Sequence, residues 1–154
     1  MLGLDEHQAL QMMAEMWDAY CGELDRQMRD FAAGLRPAYG TAILSNSADG
    51  ARREEQRRFG FEELVDVIVY SHEVGLAKPD PAIFNLTGKL LGVEPHEIVF
   101  LDDHYAHVQA ARVFGWHAVS TVTRRDRFRR SARSSEMPRA ILSEQGHTPI
   151  ADVR

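Results

Sequence analysis

The sequence contains a single cysteine, Cys21, so no disulfide can form within its 154 residues. A lone thiol is typical of proteins from a reducing compartment, whereas small secreted domains usually carry several disulfides. The sequence has no run of about 18 apolar residues, which excludes an apolar membrane-spanning helix. Its N-terminus also lacks the basic start and apolar run of a signal peptide. We therefore expect a cytoplasmic protein without a membrane partner.

The charge is distributed unevenly along the chain. The net charge is −5, yet the segment from Thr121 to Arg154 contains eight arginines and only four acidic residues. An acidic body with a basic end does not indicate a nucleic-acid-binding fold, and we expect no nucleic-acid partner. Because the basic segment is low in apolar residues, we expect residues 123–154 to form a poorly ordered tail.

Two amphipathic segments precede Pro37. In the first, apolar residues recur at steps of three and four, which predicts a helix from Asp5 to Tyr20 that packs through Leu10, Met13, Met16 and Trp17. A second helix is predicted from Glu23 to Ala33. Methionine spaced in this way indicates packing more often than a cofactor site. We therefore predict a helical hairpin over residues 1–36.

After Pro37, apolar strands alternate with helices. The strands are predicted at Thr41–Leu44, Val65–Tyr70, Glu97–Leu101 and Trp116–Val119, and the helices at Asp49–Phe59, Pro81–Leu91 and Tyr105–Phe114. The strands are apolar throughout rather than alternating with polar residues, so both faces of the sheet should be covered. This order predicts a Rossmann-like α/β fold over residues 37–122, with a parallel sheet and helices on both faces.

Polar residues follow the predicted strands at the points where these strands end. Ser45 and Asn46 follow the first strand, Asp102 and Asp103 follow the third, and Lys78 precedes a helix. Each residue taken alone has a structural explanation, because such side chains also cap helices or lie in solvent. Ligands of open parallel sheets bind at the carboxyl ends of the strands. Together, these residues therefore predict a binding site at one edge of the sheet.

The chemistry of these groups suits a phosphate and a metal ion. A hydroxyl and an amide at a strand end can hold phosphate oxygens beside a helix N-terminus. A lysine can stabilise a phosphoryl group or a charged nucleophile. Adjacent carboxylates are hard oxygen ligands of the kind that bind Mg²⁺ together with water and a substrate phosphate.

Several stretches resemble the haloacid dehalogenase-like hydrolase superfamily, in particular its helical-cap phosphatases. They are Ile43–Ser47, Ser71–Phe84, Ile98–Asp103 and Ala110–Trp116, which match the second to fourth motifs of the family in order. The residues before Pro37 resemble the end of the cap more weakly. The resemblance implies hydrolysis of a small phosphate monoester through an aspartyl-phosphate, with Mg²⁺ as the cofactor and a phosphorylated metabolite as the partner. Dehalogenation of a 2-haloacid is the alternative reaction within the same fold.

The resemblance also implies roles for individual residues. Ser45 would bind the transferring phosphoryl group with Asn46 nearby, and Lys78 would be the catalytic residue that stabilises the nucleophile. Asp102 and Asp103 would bind or orient Mg²⁺. The family often carries asparagine where this sequence has His107. His104 and His107 could instead form a transition-metal site with the two aspartates, although exposed helix histidines are the favoured interpretation.

One expected motif has no counterpart before Ser45. The family's first motif is an apolar strand that ends in Asp-x-Asp, forms the centre of the sheet and supplies the nucleophile. We therefore expect the chain to lack the central strand and to be inactive or weakly active alone, either as a shortened gene product or as a non-catalytic phosphate-, metal- or partner-binding module. The missing strand would leave a gap of about 10 Å. We expect the flanking strands to pair directly, to associate with another chain through their open edges, or to fold poorly.

Overall fold

The computed structural model describes residues 5–121 and the backbone of residues 150–153. Strands alternate with helices after an initial helical pair, in the order α1 (Glu6–Cys21), α2 (Arg26–Leu35), β1 (Gly40–Ser45), α3 (Ala51–Phe59), α4 (Phe61–Leu64), β2 (Val67–Tyr70), α5 (Ser71–Val74), α6 (Pro81–Leu91), a 3₁₀ turn (Pro95–Glu97), β3 (Ile98–Asp102), α7 (Tyr105–Phe114), β4 (His117–Ser120) and β5 (Ile150–Val153). The sequence did not predict the short helices α4 and α5. Among the described helices, none is both long enough and apolar enough to cross a membrane.

The strands form one sheet of five strands in the order β2-β1-β5-β3-β4. β1 is parallel to β2, with Ser45 opposite Tyr70, and β3 is parallel to β4, with Asp102 opposite Ser120. β1, β2, β3 and β4 therefore end at the same edge of the sheet. This arrangement confirms the predicted α/β fold with parallel strands.

β5 occupies the central position, which was expected to lack a strand. It runs antiparallel to both neighbours, with Ile150 opposite Ile43 of β1 and Ala151 opposite Phe100 of β3. None of the three expected outcomes for the gap included this one. A strand in that position pairs with both inner edges, whose backbone groups would otherwise have no partner. Part of the predicted tail is thus a strand, whereas residues 122–149 lie outside the described residues.

The sheet separates two apolar clusters. One face packs on α6 and α7, and its buried residues include Leu44, Val69, Phe84, Phe100, Val108 and Trp116. The other face packs on α2 and α4, with Ala32, Ile43, Phe61 and Leu101 buried together. Successive residues of a strand point to opposite faces, which explains why Ile43 and Leu44 belong to different clusters. Helices therefore cover both faces of the sheet, as predicted.

The predicted packing face of α1 is wrong for three of its four residues. Leu10, Met13 and Met16 are 62%, 48% and 50% exposed, whereas Trp17 is 6% exposed. Trp17 packs with Ala51 and Tyr70, close to the start of α3. Gly50 adopts a φ of +88°, and a Cβ built there would lie 3.0 Å from the Trp17 ring. The helix thus contacts the α/β body through its C-terminal half, and the assignment of residues 1–36 to a cap remains a prediction.

Candidate functional site

A buried ion pair lies at the carboxyl edge of the sheet. The Nζ atom of Lys78 is 2.8 Å from Oδ2 of Asp102 and 2.8 Å from the carbonyl oxygen of Leu44. Both ionic side chains are almost fully inaccessible to solvent, at 1% and 0% exposed. Leu44 belongs to β1 and Asp102 ends β3, so the ammonium connects the two strands that flank β5. A buried charge requires such a partner, because an unpaired one would be strongly destabilising.

The Asp102 carboxylate accepts hydrogen bonds at both oxygens. Oδ1 accepts from the backbone N–H of His104 at 2.7 Å, and Nδ1 of His107 lies 3.1 Å from Oδ2 and 3.2 Å from Oδ1. Burial raises the pKa of Asp102, but the hydrogen bond from His107, the Lys78 charge and the His104 N–H together hold this pKa below its ordinary value. Asp102 is therefore an ionised acceptor, and Nδ1 of His107 carries the hydrogen.

Asn46 fixes the backbone of Lys78. Its Nδ2 donates to the carbonyl of Lys78 at 2.8 Å, and its Oδ1 accepts from the N–H of Lys78 at 2.8 Å. The loop that carries Lys78 leaves α5 at Gly75, which adopts a φ of +68° that few other residues tolerate. The side chain of Asn46 thus positions the lysine, while a contact between Asn46 and a phosphate remains a prediction.

Ser45 and Asp103 lie at the same edge as the ion pair. Ser45 is the last residue of β1 and is fully buried, directly after the Leu44 carbonyl that accepts from Lys78. Asp103 is half-buried and forms no hydrogen bond with the residues that the structure describes. The fold therefore brings all five predicted site residues to the carboxyl edge, with Lys78 and Asp102 in direct contact. Their roles in catalysis and binding remain predictions.

The carboxylates at this edge do not form a metal site as they stand. Within residues 5–121, no group of three His, Cys, Asp or Glu side chains is arranged to hold a metal ion. Lys78, His104 and His107 already occupy the Asp102 oxygens, so a cation would have to displace one of these donors. The rings of His104 and His107 stack with centroids 4.4 Å apart. The described residues therefore fit neither the Mg²⁺ site nor the alternative transition-metal site without rearrangement.

A second polar contact at this edge was missed by the sequence analysis. Ser47 Oγ lies 2.7 Å from Nδ1 of His72, and the Oγ of Ser71 accepts a hydrogen bond from the N–H of Ser47 at 2.8 Å. Ser47 follows β1 and His72 follows β2. The rule that ligands bind beyond the ends of parallel strands could have identified both residues, but the short helix α5 gave no periodic signal.

Comparison with known proteins places these features in a family. The model of the haloacid dehalogenase-like hydrolases matches residues 11–115, which include most of α1, all of α2 and the edge residues described above. The chain is 36% identical to bifunctional epoxide hydrolase 2 of Sus scrofa over 95 residues, 59% of this chain and 17% of that protein. It is 32% identical to phosphoserine phosphatase of Thermus thermophilus over 89 residues, 57% of this chain and 36% of that enzyme. The chain thus spans well under half of either relative.

Solved structures share the fold. A HAD family enzyme from Bacteroides thetaiotaomicron, determined as a magnesium complex, superposes with a TM-score of 0.68 at 22% identity, covering 80% of this chain and 65% of that one. The L-2-haloacid dehalogenase of Xanthobacter autotrophicus gives a TM-score of 0.64 at 24% identity, covering 89% of this chain and 55% of that one. The family model, which matches most of the sequence, agrees with this fold. The chain therefore belongs to the haloacid dehalogenase-like hydrolases.

Proposed function

We propose that this chain carries the phosphate-binding and charge-stabilising part of a hydrolase that acts on small phosphate monoesters. One observation supports this proposal most directly. The Lys78 ammonium is buried at the ligand-binding edge of the sheet, between the Leu44 carbonyl and the Asp102 carboxylate. A fixed ammonium in a water-poor site can stabilise the charge that develops on a transferring phosphoryl group.

The proposed roles follow from these contacts. Ser45 would bind phosphoryl oxygens through its hydroxyl, next to Lys78. Lys78 would balance the charge of the phosphoryl group and of the attacking carboxylate. Asn46 and Asp102 would act as positioning residues, because one fixes the backbone of Lys78 and the other its ammonium. In the reaction that the family resemblance implies, a carboxylate attacks phosphorus, the alcohol leaves, and water then hydrolyses the aspartyl-phosphate.

The attacking carboxylate would come from outside residues 5–121. Among the described residues, the aspartates of the helical pair have other partners. Asp5 and Asp25 cap α1 and α2, and Asp18 pairs with Arg58 at 2.7 Å. Asp102 is already engaged by Lys78. The sequence before Ser45 also lacks the family's Asp-x-Asp motif, and for that reason we expect the chain alone to have little or no hydrolase activity.

Mg²⁺ would belong to the complete site rather than to this chain alone. When bound beside a phosphate, it would supply positive charge to the transferring group. The Bacteroides relative was solved as a magnesium complex, which supports the ion as a property of the family. In this chain, Asp103 is the better candidate ligand, because the oxygens of Asp102 already accept from three residues.

Phosphate esters are favoured over 2-haloacids by the sequence comparisons. The phosphoserine phosphatase is 32% identical to this chain. The dehalogenase is 24% identical, a level at which structural similarity supports a shared fold and nothing further. A buried ammonium next to a serine at a strand end also suits the dianion of a phosphate monoester.

The proposal is tested by calorimetry and by phosphate release on the purified chain. We expect saturable binding of inorganic phosphate, and loss of that binding in Ser45→Ala. Lys89→Met, which changes the exposed lysine at the end of α6, is the matched surface control. With an aryl phosphate and Mg²⁺, we expect little or no release of phosphate. Robust turnover that Asp102→Ala abolishes would overturn the inference that the nucleophile lies elsewhere.

A non-catalytic binding module is the second candidate. It is favoured by one observation: Lys78 and His107 contact the Asp102 carboxylate so that neither of its oxygens lacks a hydrogen-bond donor. Phosphate binding without turnover, even after the chain is combined with a carboxylate-bearing strand peptide, would support the module over the hydrolase. The absence of both binding and turnover would count against both candidates.

A further inference from the structure

We propose that Ser47 and His72 form a second substrate contact, which recognises a hydroxyl on the leaving group of the phosphate ester. This inference rests on the proposed phosphate-binding function. It adds the class of ester, namely a phosphorylated polyol or sugar rather than a simple alkyl phosphate.

Ser47 and His72 are held in a defined geometry. The hydroxyl of Ser47 lies 2.7 Å from Nδ1 of His72, within normal hydrogen-bonding distance. Ser71 fixes the backbone of Ser47, since its Oγ accepts from the N–H of Ser47 and donates to the carbonyl of Ser47 at 3.3 Å. Both members of the pair are only partly buried. The pair is therefore ordered by the protein but still accessible to a ligand at the edge.

The surroundings of His72 favour Ser47 as the donor of the Ser47–His72 hydrogen bond. Its Nε2 lies 3.9 Å from Oε1 of Glu73. Arg52 holds the Glu73 carboxylate through contacts of 2.6 and 2.8 Å, and these hydrogen bonds lower the pKa of Glu73, which is therefore ionised. This distance is too long for a hydrogen bond, but the negative charge of Glu73 favours the hydrogen on Nε2. We therefore assign Nδ1 as the acceptor and Ser47 as the donor.

This assignment decides what the Ser47 oxygen can recognise. A hydroxyl has one hydrogen and two lone pairs, and Ser47 donates its hydrogen to Nδ1 of His72. The lone pairs can accept a hydrogen bond from a ligand hydroxyl. At neutral pH a carboxylate of a ligand has no hydrogen to donate, and a second phosphate is largely the dianion. The Ser47 oxygen therefore binds a ligand hydroxyl better than an anionic group.

The position of the pair also limits the size of the ligand. Lys78 lies between the ends of β1 and β3, whereas Ser47 and His72 follow the ends of β1 and β2. Neighbouring strands are about 4.8 Å apart, so the two groups are separated by one to two strand spacings, on the order of 7 Å. A phosphate with a short hydroxylated carbon chain covers this distance.

Calorimetry with three probes tests the inference on the complete chain. The probes are glycerol 3-phosphate, n-propyl phosphate, which lacks the two hydroxyls, and inorganic phosphate. We expect the wild-type chain to bind glycerol 3-phosphate about five- to tenfold more tightly than propyl phosphate, the factor expected for one additional hydrogen bond. Ser47→Ala should remove this preference while leaving the affinity for propyl phosphate unchanged, and His72→Gln should reduce it. His96→Gln, in the 3₁₀ turn away from the edge, should retain it.

The outcomes separate this inference from the proposed function. Equal affinity of the wild-type chain for both esters, or a preference that survives in Ser47→Ala, would overturn the inference alone. If none of the three probes binds, the proposed function fails and this inference fails with it. NMR of the imidazole nitrogens provides a test that needs no variant. The His72 signals should shift with glycerol 3-phosphate and not with propyl phosphate, and the opposite pattern would also overturn the inference.

Discussion

Lys78 and Asp102 form an ion pair of 2.8 Å in the interior of the protein, across the central strand position of the sheet. The two residues are 24 positions apart in the sequence and arrive from different elements, a loop before α6 and the end of β3. Their contact therefore depends on the correct assembly of the sheet. It also means that a change at either residue affects stability as well as the proposed site.

Replacing Lys78 with methionine should destabilise the chain strongly. The substitution preserves most of the side-chain volume but leaves a buried carboxylate without its counterion, which costs about 3–5 kcal/mol in comparable cases. The measurement is the free energy of unfolding in urea. Lys89→Met, at the exposed end of α6, should change it by less than about 0.5 kcal/mol. Equal effects of the two substitutions would contradict the structural importance of the pair. A double variant, Lys78→Met with Asp102→Leu, should recover much of the loss.

The sequence predicted the edge of the sheet well because local signals defined it. Apolar strands followed by Ser45 or by Asp102 indicate where parallel strands end. The partner of Asn46 could not be predicted in this way, since its side chain bonds to a backbone 32 residues later. The exposed Met13 and Met16 illustrate a related limit. Helical periodicity identifies an apolar face but does not reveal whether another element covers it.

Removing the side chain of Asn46 should loosen the loop that carries Lys78. Asn46→Ala removes two hydrogen bonds to the backbone of Lys78 and leaves a partly buried N–H and carbonyl without partners. We expect a loss of about 1–3 kcal/mol in the free energy of unfolding, together with weaker phosphate binding. Asn85→Ala, on the exposed side of α6, is the matched control and should leave both quantities unchanged. Unchanged phosphate affinity in Asn46→Ala would show that the two hydrogen bonds from the Asn46 side chain are not needed to position Lys78.

The buried carboxyl of Glu55 should make stability depend on pH. Burial raises the pKa of Glu55, and the hydrogen bond from the hydroxyl of Tyr70 offsets this only in part. A raised pKa in the folded state means that the contribution of Glu55 to stability is complete below the unfolded pKa of about 4.3. This contribution is lost as the pH rises through the folded pKa. Glu55→Gln should therefore gain stability relative to wild type with increasing pH.

Urea unfolding of both proteins at several pH values between acid and neutral measures this difference. The pKa values of Asp102 and Glu73 are lowered, so their contributions to the free energy of unfolding change with pH in the opposite direction. These contributions are common to both proteins and cancel when the free energy of the wild type is subtracted from that of the variant. Glu23→Gln, at an exposed position, should give no such trend. A difference that stays constant with pH would show that the raised pKa of Glu55 does not contribute to folding.

Removing His107 should strengthen the binding of Mg²⁺. The imidazole contacts both oxygens of Asp102 at 3.1 and 3.2 Å, and of the three donors it is the one that competes with a cation for both oxygens. In calorimetric titrations we expect no saturable Mg²⁺ binding by the wild-type chain at millimolar concentrations. His107→Ala should bind measurably better, because it removes one of the three donors that occupy the Asp102 oxygens next to Asp103. His96→Ala serves as the control. Tight binding by the wild-type chain would show that the edge rearranges readily around the ion.

Deleting residues 150–154 should expose the inner edges of the sheet. β5 pairs with β1 on one side and with β3 on the other, so its removal leaves two rows of backbone groups without partners. We expect the free energy of unfolding to fall by at least about 2 kcal/mol, since several buried groups lose a hydrogen bond at once. The free edges should also promote association, which sedimentation velocity would detect as species larger than a monomer.

Deletion of Arg154 alone is the control for this truncation, because it leaves the four residues of β5 in place. The complete chain and this control should sediment as monomers at concentrations at which the larger deletion associates. If the larger deletion remains monomeric with an unchanged urea midpoint, β1 and β3 must pair directly once β5 is gone. If the larger deletion associates, β5 normally prevents association through the inner edges of β1 and β3. Any segment that displaces β5 from the centre of the sheet would then have to pair with the same two strands.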